Sequence, residues 1–292
     1  MQGKIIRGVG GFYYVHTEQD VVYECRAKGV FRKEKIKPLV GDDVEMSVID
    51  EQQRTGNIDR ILPRRNTLIR PAAANVDQAL VVFAVSSPKP NLNLLDRFLI
   101  SMEQQEIPVL IAFNKEDLAE EQEAASLEAI YSGCGSKVFL LSVAKEKGLE
   151  LLKEQLAGKT TIVAGPSGVG KSSLTNVLQK EVQMEVGEVS RKIDRGRHTT
   201  RHTELIALGG ETYFLDTPGF SSLYLQDLEY EDLKDYFYEF QSYEAQCRFQ
   251  GCMHIHEPDC AVKDAVADGK IHPSRYENYV LLAEELKNRK KY

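Results

Sequence analysis

The sequence predicts a multidomain fold: an all-β barrel first, a parallel α/β sheet in the middle, and a mainly helical, metal-organised segment at the end. Three observations carry that expectation. Five short β-rich runs fall between residues 4 and 62. Unbroken apolar runs at 80–85 and 107–113 bracket a helical pattern, and a third at 161–164 leads into a glycine-rich loop. Three cysteines and two histidines crowd into 247–260.

The 292 residues are 42% hydrophobic and 28% charged, a globular composition long enough for two or three domains. No apolar run approaches the ~20 residues of a membrane span, and Met1-Gln2-Gly3-Lys4 does not open a signal peptide. The expectation is a soluble, cytoplasmic, monomeric protein with no membrane contact. Five cysteines, an odd number with three near the C-terminus, argue for metal binding over a disulfide framework. The net charge of −7 does not advertise nucleic-acid binding, but it is uneven. Residues 1–70 carry 13 Lys and Arg against 10 Asp and Glu, whereas 223–292 carry 9 against 14. Any nucleic-acid contact should begin in the N-terminal part.

In the first domain, 1–66, the runs 4–9, 12–16, 21–26, 43–49 and 56–62 are separated by Gly, Asp, Asn or Pro. Five strands in so short a span fit a small closed barrel, most commonly an OB-fold. Between the third and fourth runs lies a basic loop with one aromatic. Lys28, Arg32, Lys33, Lys35 and Lys37 would track an RNA backbone and Phe31 would stack a base; a solvated charged loop is the alternative. His16 and Cys25 read as ordinary barrel residues. Pro71 with Ala72, Ala73 and Ala74 reads as the link onward.

The second domain, 67–222, opens with a strand buried on both faces at 80–85. Leu95, Phe98, Leu99 and Met102 then mark a helix with Asn93 as N-cap, followed by a strand over 107–113. At that strand's C-terminal end, where parallel sheets bind ligands, stands Asn114-Lys115-Glu116-Asp117. The Asp117 carboxylate, an acceptor only, suits guanine N1–H and the 2-amino group; adenine offers neither donor. Asn114 would fix the loop and meet the base's other edge, and the stem of Lys115 would cover the ring. After a helix at about 120–131 and a strand at 137–141, Ser142-Val143-Ala144 would support the guanine O6 side through backbone N–H groups. Val143 is a departure from the usual Ser-Ala-Lys turn of GTPases.

The apolar run 161–164 runs into Gly165-Pro166-Ser167-Gly168-Val169-Gly170-Lys171-Ser172-Ser173, a P-loop by its spacing. Backbone N–H groups and the following helix N-terminus would cradle phosphates. Lys171 would reach the β- and γ-phosphates, and Ser172 would ligate Mg²⁺. A basic stretch, 191–202, takes the place of a first switch, where Thr199 or Thr200 would complete the Mg²⁺ shell. A hairpin over 204–208 and 211–215 ends in Asp216-Thr217-Pro218-Gly219. Asp216 would hold Mg²⁺ through water, and the Gly219 N–H would meet the γ-phosphate. Phe220 follows, where many GTPases place a water-orienting Gln; His198 is the nearest residue able to take that task.

An ordinary GTPase runs P-loop, switch Thr, Asp-x-x-Gly, Asn-Lys-x-Asp, Ser-Ala. Here the quartet at 114 and Ser142 precede the P-loop at 165. The cyclic order is kept and the cut is moved, which is a circular permutation. It runs the second switch directly into the C-terminal domain, 223–292.

That last domain opens with an expected helix over 230–241, with Tyr236, Phe237 and Phe240 on one face. Cys247, Cys252 and Cys260 with one imidazole then make a closed Cys₃His set for one structural Zn²⁺. Spacing leaves His254 and His256 both eligible. Helices over 261–267 and 273–289 would pack around the metal.

With these parts on the page, the chain resembles the bacterial ribosome small-subunit-dependent GTPase A family over its whole length. The motifs at 114–117, 165–173, 196–200 and 216–219 and the cysteine cluster all match the family's pattern. The resemblance selects His254 as the fourth zinc ligand. It implies GTP and GDP binding, Mg²⁺-dependent hydrolysis stimulated by the small (30S) subunit, contact with 16S rRNA, and a role in late subunit maturation. A GTP-sensing RNA-binding module with little hydrolysis is the competing expectation, favoured by the missing Gln. A metabolic P-loop kinase is opposed by Asn114–Asp117.

Overall fold

The computed structural model describes residues 1–29, 31, 36–69, 71–216, 225 and 228–289 apart from 187–203, with the side chains of 180–186 and of Asp216 also outside the description. The chain divides into two compact units. The first comprises 1–80, 149–165 and 170–219; the second comprises 81–148, 166–169 and 220–292.

In the first unit β1 (Gln2–Val9), β2 (Phe12–Thr17), β3 (Val22–Ala27), β4 (Asp43–Asp50) and β5 (Thr55–Ile61) form a closed barrel in the order β1-β2-β3-β5-β4. Period-two alternation sends Tyr23 and Cys25 from β3, and Val44 and Met46 from β4, into a core with Ile5, Val15, Phe31 and Ile58. β3 and β5 close the barrel in parallel, from Glu24 opposite Thr55 to Ala27 opposite Ile58.

The expected link is part of this packing. β6 (Thr67–Leu68) pairs with β7 (Ala73–Ala74), and Ala73 bridges to Val40. Gly41 permits the approach: its φ is +94°, and a Cβ there would lie 2.0 Å from the Ala74 carbonyl oxygen. Beside it, the fully buried Asp42 takes a forked pair from Arg64 at 2.6 and 2.9 Å and the Leu39 N–H at 2.7 Å, so its charge is fully engaged.

The six-stranded sheet has the order β10 (Lys137–Leu140), β9 (Val109–Asn114), β8 (Gln78–Ala84), β11 (Thr160–Ala164), β13 (Tyr213–Asp216), β12 (Leu205–Ala207). Its β8 (Gln78–Ala84) is buried at every position, as the apolar run requires. In the first unit β11 (Thr160–Ala164) runs parallel to β13 (Tyr213–Asp216), which pairs antiparallel with β12 (Leu205–Ala207).

In the second unit β9 (Val109–Asn114) and β10 (Lys137–Leu140) pair in parallel. Helix α1 (Leu92–Glu103) is capped by Asn91, whose side chain accepts from the Leu94 N–H. The expected cap, Asn93, instead accepts from Arg97 Nε at 2.8 Å. α1 starts a residue before Asn93, so Asn93 is already helical and cannot cap. Helix α2 (Glu121–Tyr131) opens with a reciprocal Glu120–Glu123 capping box.

The expected helix over 230–241 is not continuous. Two 3₁₀ turns, Leu233–Tyr236 and Tyr238–Phe240, are separated by Phe237 at φ −106°, ψ 85°. Aromatic residues and aspartate are poor helix formers. The break lets Phe237 and Phe240 stack at 5.3 Å with both rings fully buried, each meeting Tyr279 edge-on. Helices α3 (Ala261–Ala267) and α4 (Pro273–Asn288) complete the segment. From α4 the fully buried Arg275 pairs with Asp96 of α1 and with Glu239 at 2.7 Å, while Tyr131 and Asn278 also donate to Asp96. Its guanidinium lies 4.6 Å from the Phe237 ring centroid. One arginine thus joins α1, α2 and the C-terminal segment.

Candidate functional site

The glycine-rich loop leaves β11. Gly165, Gly168 and Gly170 have φ of 143°, 80° and 101°. Residues with a Cβ rarely adopt these values, which give the curl in which successive N–H groups can converge on an anion. Ser167, Gly168, Ser172 and Ser173 are exposed, whereas Val169 is buried and anchors the loop. The helix Lys171–Val186 begins at once, and Lys171 Nζ reaches across the loop to the Gly165 carbonyl at 2.7 Å. Beside β11, Val163 stands opposite Asp216 in the parallel register, so that residue ends its strand next to the start of the loop.

In the second unit Asn114 ends β9, and Lys115 turns the chain in the left-handed region at φ 64°. The buried Asn114 amide is engaged at both ends. Its Nδ2 donates to the Val169 carbonyl at 2.9 Å, and its Oδ1 accepts the Val143 N–H at 3.0 Å. Ser142, also buried, donates from Oγ to Asp117 Oδ1 at 2.5 Å and accepts the Lys145 N–H at 3.2 Å. Asp117 itself is exposed, so its carboxylate is oriented from behind and open in front. Lys115 Nζ donates to the Ser87 carbonyl at 2.7 Å, which stretches its stem alongside this loop.

The turn after β10 is therefore committed unevenly. The Val143 and Lys145 N–H groups have side-chain acceptors. Ala144, in the same 3₁₀ turn Val143–Lys145, has an N–H too early in the turn for an intrahelical acceptor. Pro166 lies in the loop crest without a donor of its own.

The barrel's basic loop requires a correction. Phe31 is 5% exposed and belongs to the barrel core. The Phe31 carbonyl accepts the Ile36 N–H at 2.9 Å. Burying it is worth about 1.5–3 kcal/mol over exposure, more than a free stacking face returns to the isolated chain. Lys28 is exposed and pairs with Asp59 at 2.7 Å; Lys37 is exposed. Arg32, Lys33 and Lys35 lie outside the described residues, as do His198, Thr199, Thr200, Gly219 and Phe220, and the Asp216 side chain.

Cys247, Cys252, His254 and Cys260 present ligand atoms that all lie within 4.8 Å of one another. His254 Nδ1 is 3.6 Å from Cys247 Sγ and 3.4 Å from Cys260 Sγ, and those two sulfurs are 3.9 Å apart. Zn–S and Zn–N bonds of about 2.3 and 2.0 Å at tetrahedral angles need such separations, so the residues fit a zinc ion. His256 is exposed and outside the group. Burial pushes the Cys252 thiol up to about 12, raises Cys260, and lowers His254. Thiolates in so buried a cluster call for a cation to hold them. His254 Nε2 has no hydrogen-bond partner among the described residues; its ring meets Phe240 edge-on at 5.7 Å.

The knuckle has supports that the sequence reading missed. Burial works to raise the Glu257 carboxyl, but backbone N–H groups, those of Met253, Ile255 and His256 among them, outweigh it and pull it down to about 2. Tyr276 and Tyr279 donate to the carbonyls of His254 and Met253 at 2.7 and 2.6 Å. These contacts hold His254 at φ 59°. A glutamate three residues beyond a ligand was visible in the sequence, but its pairing with backbone was not.

Known proteins share this architecture. The RsgA GTPase family model matches residues 61–226, and the RsgA N-terminal domain model matches 2–58. A protein of Agathobacter rectalis named small ribosomal subunit biogenesis GTPase RsgA is 55% identical over all of both chains. One of the same name from Alkaliphilus metalliredigens is 50% identical over all of this chain and 99% of its own. Among solved structures, YloQ, described as a circularly permuted GTPase, is 39% identical with a TM-score of 0.78, covering all of this chain and 96% of its own. YjeQ from Thermotoga maritima is 36% identical with a TM-score of 0.81, covering 99% of each. With the family model spanning more than half of the chain and relatives aligned from end to end, this protein belongs to the RsgA GTPase family.

Proposed function

We propose that this protein binds and hydrolyses GTP in the biogenesis of the small ribosomal subunit, the role that its relatives' names carry. The observation that carries the guanine reading is the doubly engaged Asn114, tied to the P-loop at Val169 and to the Ser142 turn at Val143. Asp117, held by Ser142, receives N1–H and the 2-amino group. The Ala144 N–H is the group left for guanine O6, since Val143 and Lys145 are otherwise occupied. The stem of Lys115 covers the ring.

At the phosphates, the N–H groups of 165–173, Pro166 excepted, surround the chain of oxygens and Lys171 neutralises charge that grows toward the transition state. Ser172, Thr199 or Thr200, and Asp216 through water would hold Mg²⁺, which would supply charge neutralisation at the phosphates. Gly219 offers its N–H to the γ-phosphate, and His198 orients the attacking water in place of the Gln that Phe220 replaces. Zinc at Cys247, Cys252, His254 and Cys260 is structural, since four protein ligands leave no open position. Residues 1–66, 67–222 and 223–292 act as RNA-binding, GTPase and zinc domains of a cytoplasmic monomer. Lys28, Arg32, Lys33, Lys35 and Lys37 contact rRNA phosphates.

Phosphate release measured with and without purified small subunits tests this reading. Slow turnover alone, strongly stimulated by subunits, is expected. Equal rates with and without subunits would overturn the ribosomal role, and binding without any hydrolysis would leave a GTP-sensing module.

A further inference from the structure

Three groups on the barrel reach the β12–β13 hairpin. His16, on β2 and 6% exposed, has Nδ1 2.9 Å from the Tyr213 hydroxyl and Nε2 2.7 Å from Asp20 Oδ1. Lys4 of β1 lies over the Tyr213 ring at 5.7 Å. Arg7 of β1 pairs with Glu204 by a backbone bridge and by an ion pair at 3.7 Å. Barrel and hairpin fall within the same compact unit.

The chemistry gives the His16 contact a direction. The Asp20 carboxylate only accepts, so Nε2 carries a proton; in the neutral ring Nδ1 then accepts from Tyr213. Burial first, and the nearby acidic groups after it, push the Tyr213 hydroxyl up to about 12, which keeps it protonated and able to donate. Both ends of the contact are buried, so loss of either strands a polar atom.

The place of the hairpin gives the contact its consequence. In sequence it is flanked by Thr199 and Thr200 on one side and by Asp216–Gly219 on the other. Tyr213 is three residues before Asp216 on a strand of only four. A shift of β13 relative to the barrel therefore moves the start of the Asp-x-x-Gly segment.

We propose that Tyr213 and His16 are positioning residues that couple the barrel to the hydrolytic machinery: what binds the barrel sets the position of β13, and the nucleotide bound sets the strain on the barrel. This rests on the GTPase reading above. Coupling of binding is reciprocal, so it can be read from either end.

Amide exchange of β1 and β2 is compared in the full-length protein loaded with Mg²⁺–GDP or with Mg²⁺ and a non-hydrolysable GTP analogue. Wild type should show a nucleotide-dependent difference in β2. Tyr213→Phe, which keeps the ring and removes the hydroxyl, should abolish it. His16→Asn, whose side-chain oxygen can stand where Nδ1 stands, should retain it where His16→Ala does not. No difference in wild type, or the same difference in Tyr213→Phe, overturns the proposal.

Turnover is the second readout. Tyr213→Phe should keep the basal rate and the subunit concentration giving half-maximal stimulation, while stimulated kcat falls roughly tenfold, within the usual range of coupling between sites. A merely structural role would lower basal and stimulated rates together, and that result also overturns the proposal. Absence of stimulation in wild type would instead remove the ribosomal reading, with the exchange comparison still deciding the coupling.

Discussion

Asn114 donates to the carbonyl of Val169 at 2.9 Å, so one side chain fastens the Asn114–Asp117 quartet to the glycine-rich loop. Its other end holds the Val143 N–H. Asn114→Ala strands both partners in a buried place, at about 1–3 kcal/mol for each group. A fall in thermal midpoint and weaker binding of both GTP and GDP are expected, measured by calorimetry. Asn114→Asp should be worse than alanine for affinity, because a carboxylate would face the Val169 carbonyl with no proton to share. Unchanged nucleotide affinity in both variants would show that the contact holds nothing relevant to binding.

The proposed guanine reading is tested at Asp117. Asp117→Asn replaces an acceptor by a donor where guanine presents its 2-amino group. GTP affinity should fall by roughly two to three orders of magnitude while xanthosine triphosphate gains. Ser142→Ala removes the hydroxyl that orients Asp117 and should cost about 1 kcal/mol, roughly fivefold in Kd, without switching the base. GTP affinity unmoved by Asp117→Asn would refute the guanine assignment.

The motifs were legible because their chemistry depends on spacing along the chain. Gly165 to Ser172, Asn114 to Asp117 and the four zinc ligands each lie within one local segment. What joins the segments was not legible. Nothing along the chain announces that Asn114 spends its amide on Val169, 55 residues away, or that Asp96 and Arg275 meet. Phe31 was misread for a related reason. Composition made it a base-stacking aromatic within a basic run, but in a barrel with so few core side chains its ring is part of the core. The helix expected at 230–241 failed because its aromatic spacing also fits consecutive 3₁₀ turns, which align i with i+3. Nor does the chain announce that Ala73, past residue 66, bridges to Val40 and that Ala74 lies against Gly41.

Arg275 offers a test of how the C-terminal segment is joined to α1. Arg275→Met leaves Asp96 and Glu239 buried without a cation, and removing one partner of such a pair costs about 3–5 kcal/mol. Combining Arg275→Met with Asp96→Asn and Glu239→Gln should recover much of that loss, because no uncompensated charge remains. Urea midpoints of the single and triple variants make the comparison. A single variant as stable as wild type would mean that the buried pair contributes nothing to this junction.

Hydrolysis can be separated from binding at His198. A residue that only orients water does not touch ground-state GTP. His198→Ala should therefore leave GTP affinity nearly unchanged and lower subunit-stimulated kcat by roughly 10²–10⁴-fold. Lys171→Ala should harm binding and rate together, since its charge serves both states. Full stimulated turnover in His198→Ala would hand the water to a group on the ribosome.

Metal removal bears on the fold of the last segment more than on the nucleotide. Structural zinc in small modules contributes about 10–16 kcal/mol of apparent binding free energy at neutral pH, comparable to or greater than the about 5–15 kcal/mol that holds a whole domain folded. The local core includes Phe237, Phe240, Leu233, Val262, Tyr279 and Leu282, with Cys252 and Cys260 in the same cluster. Without zinc the two buried thiols revert to neutral groups, and the His254 segment loses its metal while keeping the contacts of Glu257, Tyr276 and Tyr279. One equivalent of zinc should co-purify. Chelation, or Cys252→Ser, should increase amide exchange across 233–288 and raise tyrosine exposure, a clean signal in a chain with no tryptophan. GTP affinity should change by less than about threefold, under 1 kcal/mol, because Asn114, Asp117 and Ser142 hold one another through contacts that do not involve the knuckle. A metal-free protein with native exchange over 233–288 would remove zinc from the fold. A collapse of GTP affinity on chelation would show instead that the zinc segment supports the base-reading loop through α1, which Arg275 joins to it.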